Sequence, residues 1–220
     1  MVDLEELFTT IAKYRLKLNP EKCMFGVEAG KFLGFLLTER GIEANPEKCA
    51  AILAMRSPIS MKEVQQLIGR MAALFRFVSA GGDKGYPYFQ CLRRNNKLIW
   101  TRECEEAFLK LKEYLTSPIV LCKPQLGTPL RLYFVVTEQA ISSVLVQEQD
   151  QVQKPIYFVS KVLQGPKVRY QVLKKAALTV VFSARRLRHY FQSFTVVVMT
   201  DLPILKLLQK RTWREGWYDG

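Results

Sequence analysis

The sequence predicts a mixed α and β chain: a small β-hairpin followed by helices, then a mixed sheet with the order β-β-β-α-β-α. Three observations carry this. Glycine-punctuated apolar runs occupy residues 25–41, and three capped helical patterns follow between 45 and 116. Beyond Ser117-Pro118 the apolar runs shorten to strand length, apart from one long helical stripe.

Leu4, Leu7, Phe8, Ile11 and Tyr14 recur at helical spacing, so residues 3–15 read as an amphipathic helix that Asn19-Pro20 ends. Phe25, Phe32, Leu33, Phe35, Leu36 and Leu37, punctuated by Gly26, Gly30 and Gly34, read as two short strands turning near Glu28-Ala29-Gly30. Asn45-Pro46 offers an N-cap and a proline at the first helical position. Ser60 with Glu63 forms a capping box ahead of a face of Val64, Leu67, Ile68 and Met71. Gly81-Gly82 and Gly85-Tyr86-Pro87 read as a loop, and no phosphate-cradling glycine motif lies in it. Thr101 caps a third helix, with Ala107, Phe108, Leu111, Tyr114 and Leu115 facing inward. Asn-Pro-Glu-Lys-Cys occurs at 19–23 and again at 45–49 with no wider similarity, which marks two local turns and no repeat.

In the second half, Leu130–Val136, Ser142–Gln149 and Pro155–Ser160 read as three strands. A helix over 168–190 carries Leu173, Ala177, Val180, Ala184 and Leu187 on one stripe. Phe194–Met199 is a β-branched strand, and Leu202–Gln209 a final short helix. A three-strand meander with one crossover gives a mixed sheet with helices on it.

Composition narrows the function. The chain has 220 residues, a formal net charge of +13 and a pI near 9.6. Residues 1–117 carry 18 Lys/Arg against 14 Asp/Glu, and residues 118–220 carry 15 against 6, so the basic character belongs mainly to the second half. Lys154 to Thr200 contains no acid at all. Clustered cations of this kind point to a polyanion partner. Cys23, Cys49, Cys91, Cys104 and Cys122 are odd in number and spread along the sequence, which suggests neither a disulfide framework nor a zinc site. Reduced thiols in an intracellular protein, cytoplasmic or nuclear, fit better. The acidic start Met1-Val2-Asp3-Leu4-Glu5-Glu6 is unlike a signal peptide, and no apolar run is long enough to span a membrane.

The order β-β-β-α-β-α is that of the RNase H fold. Several blocks also carry a resemblance: Leu-Lys-Leu-Asn-Pro-Glu-Lys-Cys and Lys-Phe-Leu-Gly-Phe within 16–44, Gln-Leu-Ile-Gly-Arg-Met-Ala-Ala-Leu-Phe-Arg-Phe at 66–77, and the segment 100–119 from Trp100. Pro155-Ile-Tyr-Phe-Val-Ser-Lys, Arg188-His-Tyr-Phe and Val197-Val-Met-Thr-Asp-Leu-Pro continue it. Together, over about residues 3–209, they resemble the reverse transcriptase of gypsy-class LTR retrotransposons, most closely its plant-type branch. The resemblance implies that residues 1–44 are the end of the polymerase palm, with a hairpin like the primer grip bearing Phe32, Leu33 and Gly34. It makes 45–117 a helical thumb and connection, 118–210 an RNase H-like domain, and 211–220 a tail foreign to the family.

The resemblance also shows what is absent. Polymerase chemistry needs paired aspartates for two metals, which the family carries in a Tyr-x-Asp-Asp turn. Here Asp3, Asp83, Asp150, Asp201 and Asp219 are all isolated, and the family's turn would lie upstream of Met1. RNase H chemistry needs three or four converging carboxylates to hold Mg²⁺. By the family pattern the first falls at Val135 and the helix glutamate at Ala176, while Asp201 alone is kept. Glu138 lies past the strand end, so it reaches a different place. Without sister carboxylates, Asp201 reads as a cap on the last helix. His189 is the one histidine, and neither Ser142 nor Ser143 has a His/Asp arrangement around it.

What remains is binding. Arg169, Lys174, Lys175, Arg185, Arg186 and Arg188 sit off the apolar stripe of the 168–190 helix and suit phosphates. Tyr170, Tyr190 and Phe191 interleave with them at a spacing that fits core packing. The expected role is support of the polymerase within a pol polyprotein, with gripping of an RNA–DNA hybrid or primer–template without sequence preference. No cofactor of its own and no autonomous activity are expected. The competing readings are a ribonuclease H using Asp201 and a transposon remnant without function.

Overall fold

The computed structural model describes residues 2–32, 34–93, 98–117 and 120–209. The chain begins with α1 (Val2–Lys13), whose Leu4, Leu7 and Phe8 remain exposed. Strands β1 (Ala29–Phe32), β2 (Phe35–Thr38) and β3 (Gly41–Glu43) form an antiparallel meander. The hairpin turns between Phe32 and Phe35 and not near Glu28-Ala29-Gly30. Phe32 pairs with Phe35, and Gly34 takes φ +78°, the left-handed geometry that a two-residue turn demands. Gly30 lies within β1.

The helices α2 (Pro46–Leu53), α3 (Met61–Ala72) and α5 (Arg102–Thr116) start where their caps predict. Asn45 accepts from the Glu47 amide, Ser60 from Glu63 and Thr101 from Cys104. The earlier Asn-Pro-Glu-Lys-Cys copy repeats the same device: Asn19 accepts from the Glu21 amide and opens a 3₁₀ turn, Pro20–Lys22.

The glycine-rich stretch expected to be a loop is instead a helix, α4 (Gly81–Arg93), with Pro87 inside it. Its glycines let the backbone lie flat on its neighbours. A Cβ at Gly82 would stand 2.6 Å from Ser160 Oγ and 3.3 Å from the Ala140 Cβ, and one at Gly81 2.8 Å from the Phe75 ring. Strand β4 (Val120–Leu121) pairs with β3, so the first sheet is completed from beyond residue 117.

The second sheet is built from β5 (Leu130–Val136), β6 (Ala140–Gln149), β7 (Val152–Val162) and β8 (Val196–Val198) in the order β7-β6-β5-β8. Its meander is antiparallel, and β8 returns parallel to β5. The helix expected over 168–190 is three pieces: a 3₁₀ turn (Gly165–Arg169), α6 (Val172–Arg186) and α7 (Arg188–Ser193). The break falls at Leu187, buried at φ −111° and ψ 32°, which lets α7 turn away. A short α8 (Ile204–Leu208) follows. Successive strand residues face opposite ways. Leu130, Leu132 and Leu145 therefore pack with Ala176 and Val180 of α6. On the other face Ser160 accepts from the Gly82 amide of α4. A separate core of Ile52, Leu67, Phe77, Tyr88, Phe108 and Leu111 holds the helical half together.

Candidate nucleic-acid interface

Three adjoining grooves run from the hairpin tip along the helical half and over β7. The first, about 540 Å³, lies beside α2 and α3 and is lined by Glu47, Lys48, Gln66 and Arg70. The second, about 350 Å³, is lined by Phe35, Arg76, Tyr157, Phe182 and Arg186. The third, about 490 Å³, is lined by Phe89, Lys161, Lys167 and Leu178. Ala73 belongs to the first two, and Phe75 and Ser160 to the last two. The line so formed carries Lys48, Arg70, Arg76, Arg186, Lys161 and Lys167. Its lining acid is Glu47, paired to Lys31 at 2.6 Å, and that ammonium holds its carboxyl below the usual range.

Aromatic rings place these cations. Arg76 sits in the 3₁₀ turn Phe75–Phe77, its guanidinium 4.0 Å from the Phe35 ring and 5.2 Å from Tyr157. Stacking fixes the plane of the guanidinium and leaves its N–H edge for an acceptor. Lys161 Nζ lies 4.8 Å from the Phe182 ring. Burial raises the Tyr190 phenol, which stands near Tyr157 and Arg76. Among the described residues neither Arg76 nor Arg186 pairs with a carboxylate. Such a row neutralises successive phosphates and holds a polyanion by its backbone.

The residues that the sequence singles out are only partly on this line. Gly34 is at its start, because a Cβ there would meet Lys48 Nζ at 2.5 Å. Phe32 is exposed at the hairpin tip, and Leu33 lies outside the described residues, as does the tail 211–220. Arg186 lines the second groove. Lys174 and Arg185, eleven positions apart, share one stripe of α6 and already have interaction partners, whereas Arg186 turns about 100° away from Arg185. Arg188 is exposed at the start of α7. Arg169 is exposed in the 3₁₀ turn and is not on the helix.

Lys175 corrects the reading most sharply. It is 5% exposed, and its ammonium donates to the carbonyls of Thr137 at 3.0 Å and Glu138 at 2.7 Å. Its position on the inner face of α6 sends it into the β5–β6 turn, so it ties helix to sheet and meets no phosphate.

The carboxylate positions are equally informative. Val135 is 59% exposed and lies on the face of β5 opposite Leu130 and Leu132, while Ala176 is fully buried beneath α6. Asp201 is exposed. It does not cap α8: the turn is closed by Thr200, whose hydroxyl accepts from the Leu202 amide at 3.1 Å. Among the described residues, no three His, Cys, Asp or Glu side chains gather where they could hold a metal ion. A valine, a core alanine and one carboxylate do not fit a two-metal centre. Among the described residues these serines and the histidine form no triad: Ser142 bonds Ser160 and Ser143 bonds Ser183, each at 2.7 Å, and His189 packs on Tyr190.

Sequence reasoning missed Lys48, Arg70, Arg76, Lys161 and Lys167. The acid-free stretch from Lys154 contained the signal for the last two, and Arg76 was marked only by its flanking phenylalanines. It also missed that two cysteines meet: Cys91 and Cys104 place their sulfurs 3.2 Å apart.

Comparison with known proteins agrees with this architecture. Residues 100–198 match the family described as the RNase H-like domain found in reverse transcriptase. The chain is 30% identical over 207 residues to the retrovirus-related Pol polyprotein from transposon 297 of Drosophila melanogaster, covering 93% of this chain and 19% of that one. It is 25% identical over 191 residues to the transposon Tf2-3 polyprotein of Schizosaccharomyces pombe, covering 86% and 14%. The chain thus spans about a fifth or less of the length of these relatives. Its fold is similar to that of the foamy viral protease-reverse transcriptase solved in complex with dsDNA, at a TM-score of 0.72 and 20% identity, covering 94% of this chain and 43% of that one. The same viral protein in complex with RNA/DNA hybrid gives a TM-score of 0.71 at 20% identity, covering 89% and 27%. No helix among the described residues is long and apolar enough to cross a membrane.

Proposed function

We propose that this chain serves as the thumb, connection and RNase H-like region of a retrotransposon Pol polyprotein, gripping a nucleic-acid duplex by its backbone without cutting it. The observation that carries this reading is the line of six cations through three adjoining grooves, with Glu47, already paired, as the one lining acid among the described residues. What supports the gypsy class, and its plant-type branch, is the run of sequence blocks from Leu16 to Pro203. The partners are an RNA–DNA hybrid or primer–template and the remainder of the polyprotein, inside the cell. The hairpin tip at Phe32 and Gly34 serves as the primer-grip-like end of the line. The likeness to a reverse transcriptase solved with dsDNA and with RNA/DNA hybrid agrees with such a partner. No metal takes part, because the residues at Val135 and Ala176 offer no ligand.

Fluorescence anisotropy with a labelled RNA–DNA hybrid, from about 50 to 300 mM salt, tests the grip. The logarithm of affinity is expected to fall linearly with the logarithm of salt, and Arg76→Ala with Arg186→Ala to reduce the slope by about 2. Affinity indifferent to salt would sink the proposal. Incubating the same hybrid with Mg²⁺ or Mn²⁺ is expected to leave it intact. Cleavage that disappears in Asp201→Asn would establish a ribonuclease instead.

A further inference from the structure

Cys91, near the end of α4, and Cys104, in the first turn of α5, have their sulfurs 3.2 Å apart in the interior of the helical half, at 4% and 2% exposure. The surroundings are polar for so buried a place. The Thr101 hydroxyl donates to the Cys104 sulfur at 3.3 Å, and the Cys91 thiol donates to the Ile99 carbonyl at 3.4 Å. The Tyr88 hydroxyl, close to both sulfurs, is the buried side-chain polar atom without a hydrogen-bond partner among the described residues. An opening of about 270 Å³, lined by Tyr86, Gln90, Cys91, Thr101, Glu103 and Cys104, leads to the pair. Among the described residues, Cys91 and Cys104 are the cysteines whose sulfurs meet; Cys23 and Cys122 are half-buried and Cys49 is buried.

We propose that Cys91 and Cys104 are a redox modification site, closing to a reversible disulfide when a hydroperoxide enters through this opening. The Cys104 sulfur attacks one peroxide oxygen and the O–O bond breaks. The sulfur keeps a hydroxyl as a sulfenic acid, and the other oxygen leaves as water with the thiol proton. The Cys91 sulfur, already in contact, attacks the Cys104 sulfur. The S–O bond breaks, and a second water leaves with the Cys91 proton. Two thiols are oxidised by two electrons and one hydrogen peroxide is reduced to two waters. A small thiol reverses the reaction by exchange. The bond ties the end of α4 to the start of α5, fixing the face of α4 that lies on the second sheet.

The test treats the folded full-length chain with hydrogen peroxide, quenches it, alkylates it after unfolding and maps its peptides without reduction. Of the five cysteines, three are expected to alkylate, with one peptide cross-linked through Cys91 and Cys104 that dithiothreitol releases. The oxidised chain is expected to melt higher by roughly 5 °C, since the bond constrains the unfolded chain. In Cys91→Ser the second step is blocked, and dimedone is expected to label Cys104. The mapping of the unsubstituted chain decides the matter even if that variant does not fold. Recovery of Cys91 and Cys104 both alkylated, with oxidation at Cys23 or Cys122, overturns the proposal; so does a cross-link between any other pair.

Discussion

The Gly82 amide donates to Ser160 Oγ at 2.6 Å, a bond between α4 and β7 across 78 positions of sequence, and a Cβ at Gly82 would occupy the space of that same oxygen. The bond is shared, because Ser160 also meets Ser142 at 2.7 Å. Gly82→Val is therefore expected to destabilise the chain by about 1–3 kcal/mol through overpacking. Gly69 in α3 has open space around its Cβ position, so Gly69→Ala is expected to stabilise by about 0.5–1 kcal/mol through helix propensity. Urea melts of the two variants check the contrast. Equal effects would mean that α4 does not rest on the sheet through Gly82.

Lys175 offers a second discrimination. Its ammonium satisfies two carbonyls of the β5–β6 turn. Lys175→Met keeps the stem and removes both bonds, leaving the Thr137 and Glu138 carbonyls without this donor. A loss of about 2–3 kcal/mol is expected, given that bonds to charged donors are the stronger kind. The salt slope of hybrid binding is expected not to change. A slope reduced by about 1 would return Lys175 to the phosphate-binding set.

These two residues show where sequence reading succeeds and stops. Asn45, Ser60 and Thr101 were legible as caps because their partners lie two or three positions away. The strand run Leu130–Val136 was legible because its pattern is local. Gly81, Gly82 and Gly85 read as a loop because glycine favours turns, and the sheet surface that rewards the smallness of Gly82 is remote in sequence. Lys175 looked like a surface cation because its carbonyl partners are 37 and 38 positions distant. The grooves were illegible as grooves, since Arg76 and Arg186 come from opposite halves. The acid-free stretch behind half of their cations was plain in the sequence.

Tyr88 predicts a pH dependence. Burial pushes its phenol well above the ordinary tyrosine value of 10.0. As pH rises through 10.0, the unfolded chain loses this proton while the folded chain keeps it, so stability falls on the alkaline side. Tyr88→Phe removes that contribution, and it also removes the unpaired hydroxyl. The variant is expected to be more stable by about 1 kcal/mol near neutral pH, and its stability is expected to decline less above pH 10. Thermal melts of both chains across the alkaline range measure the difference; parallel declines would show that the phenol ionises equally in both states.

Val135 and Ala176, the two positions at which the family resemblance expects metal ligands, differ in what they would tolerate. Val135 is 59% exposed on β5, so Val135→Asp removes little packing and is expected to stay within about 0.5 kcal/mol of the parent chain. Ala176 has no exposure and packs against the sheet. Ala176→Glu would bury a carboxylate and overfill the core, at an expected loss of more than about 3 kcal/mol. The buried Lys175 ammonium beside it is already committed to the Thr137 and Glu138 carbonyls, so it offers no ready counter-charge. Circular dichroism melts decide the point. If Ala176→Glu melts with Val135→Asp, the inner face of α6 is looser than its packing indicates. If only Ala176→Glu collapses, restoring the glutamate alone cannot rebuild a metal centre, because the core has closed over its position.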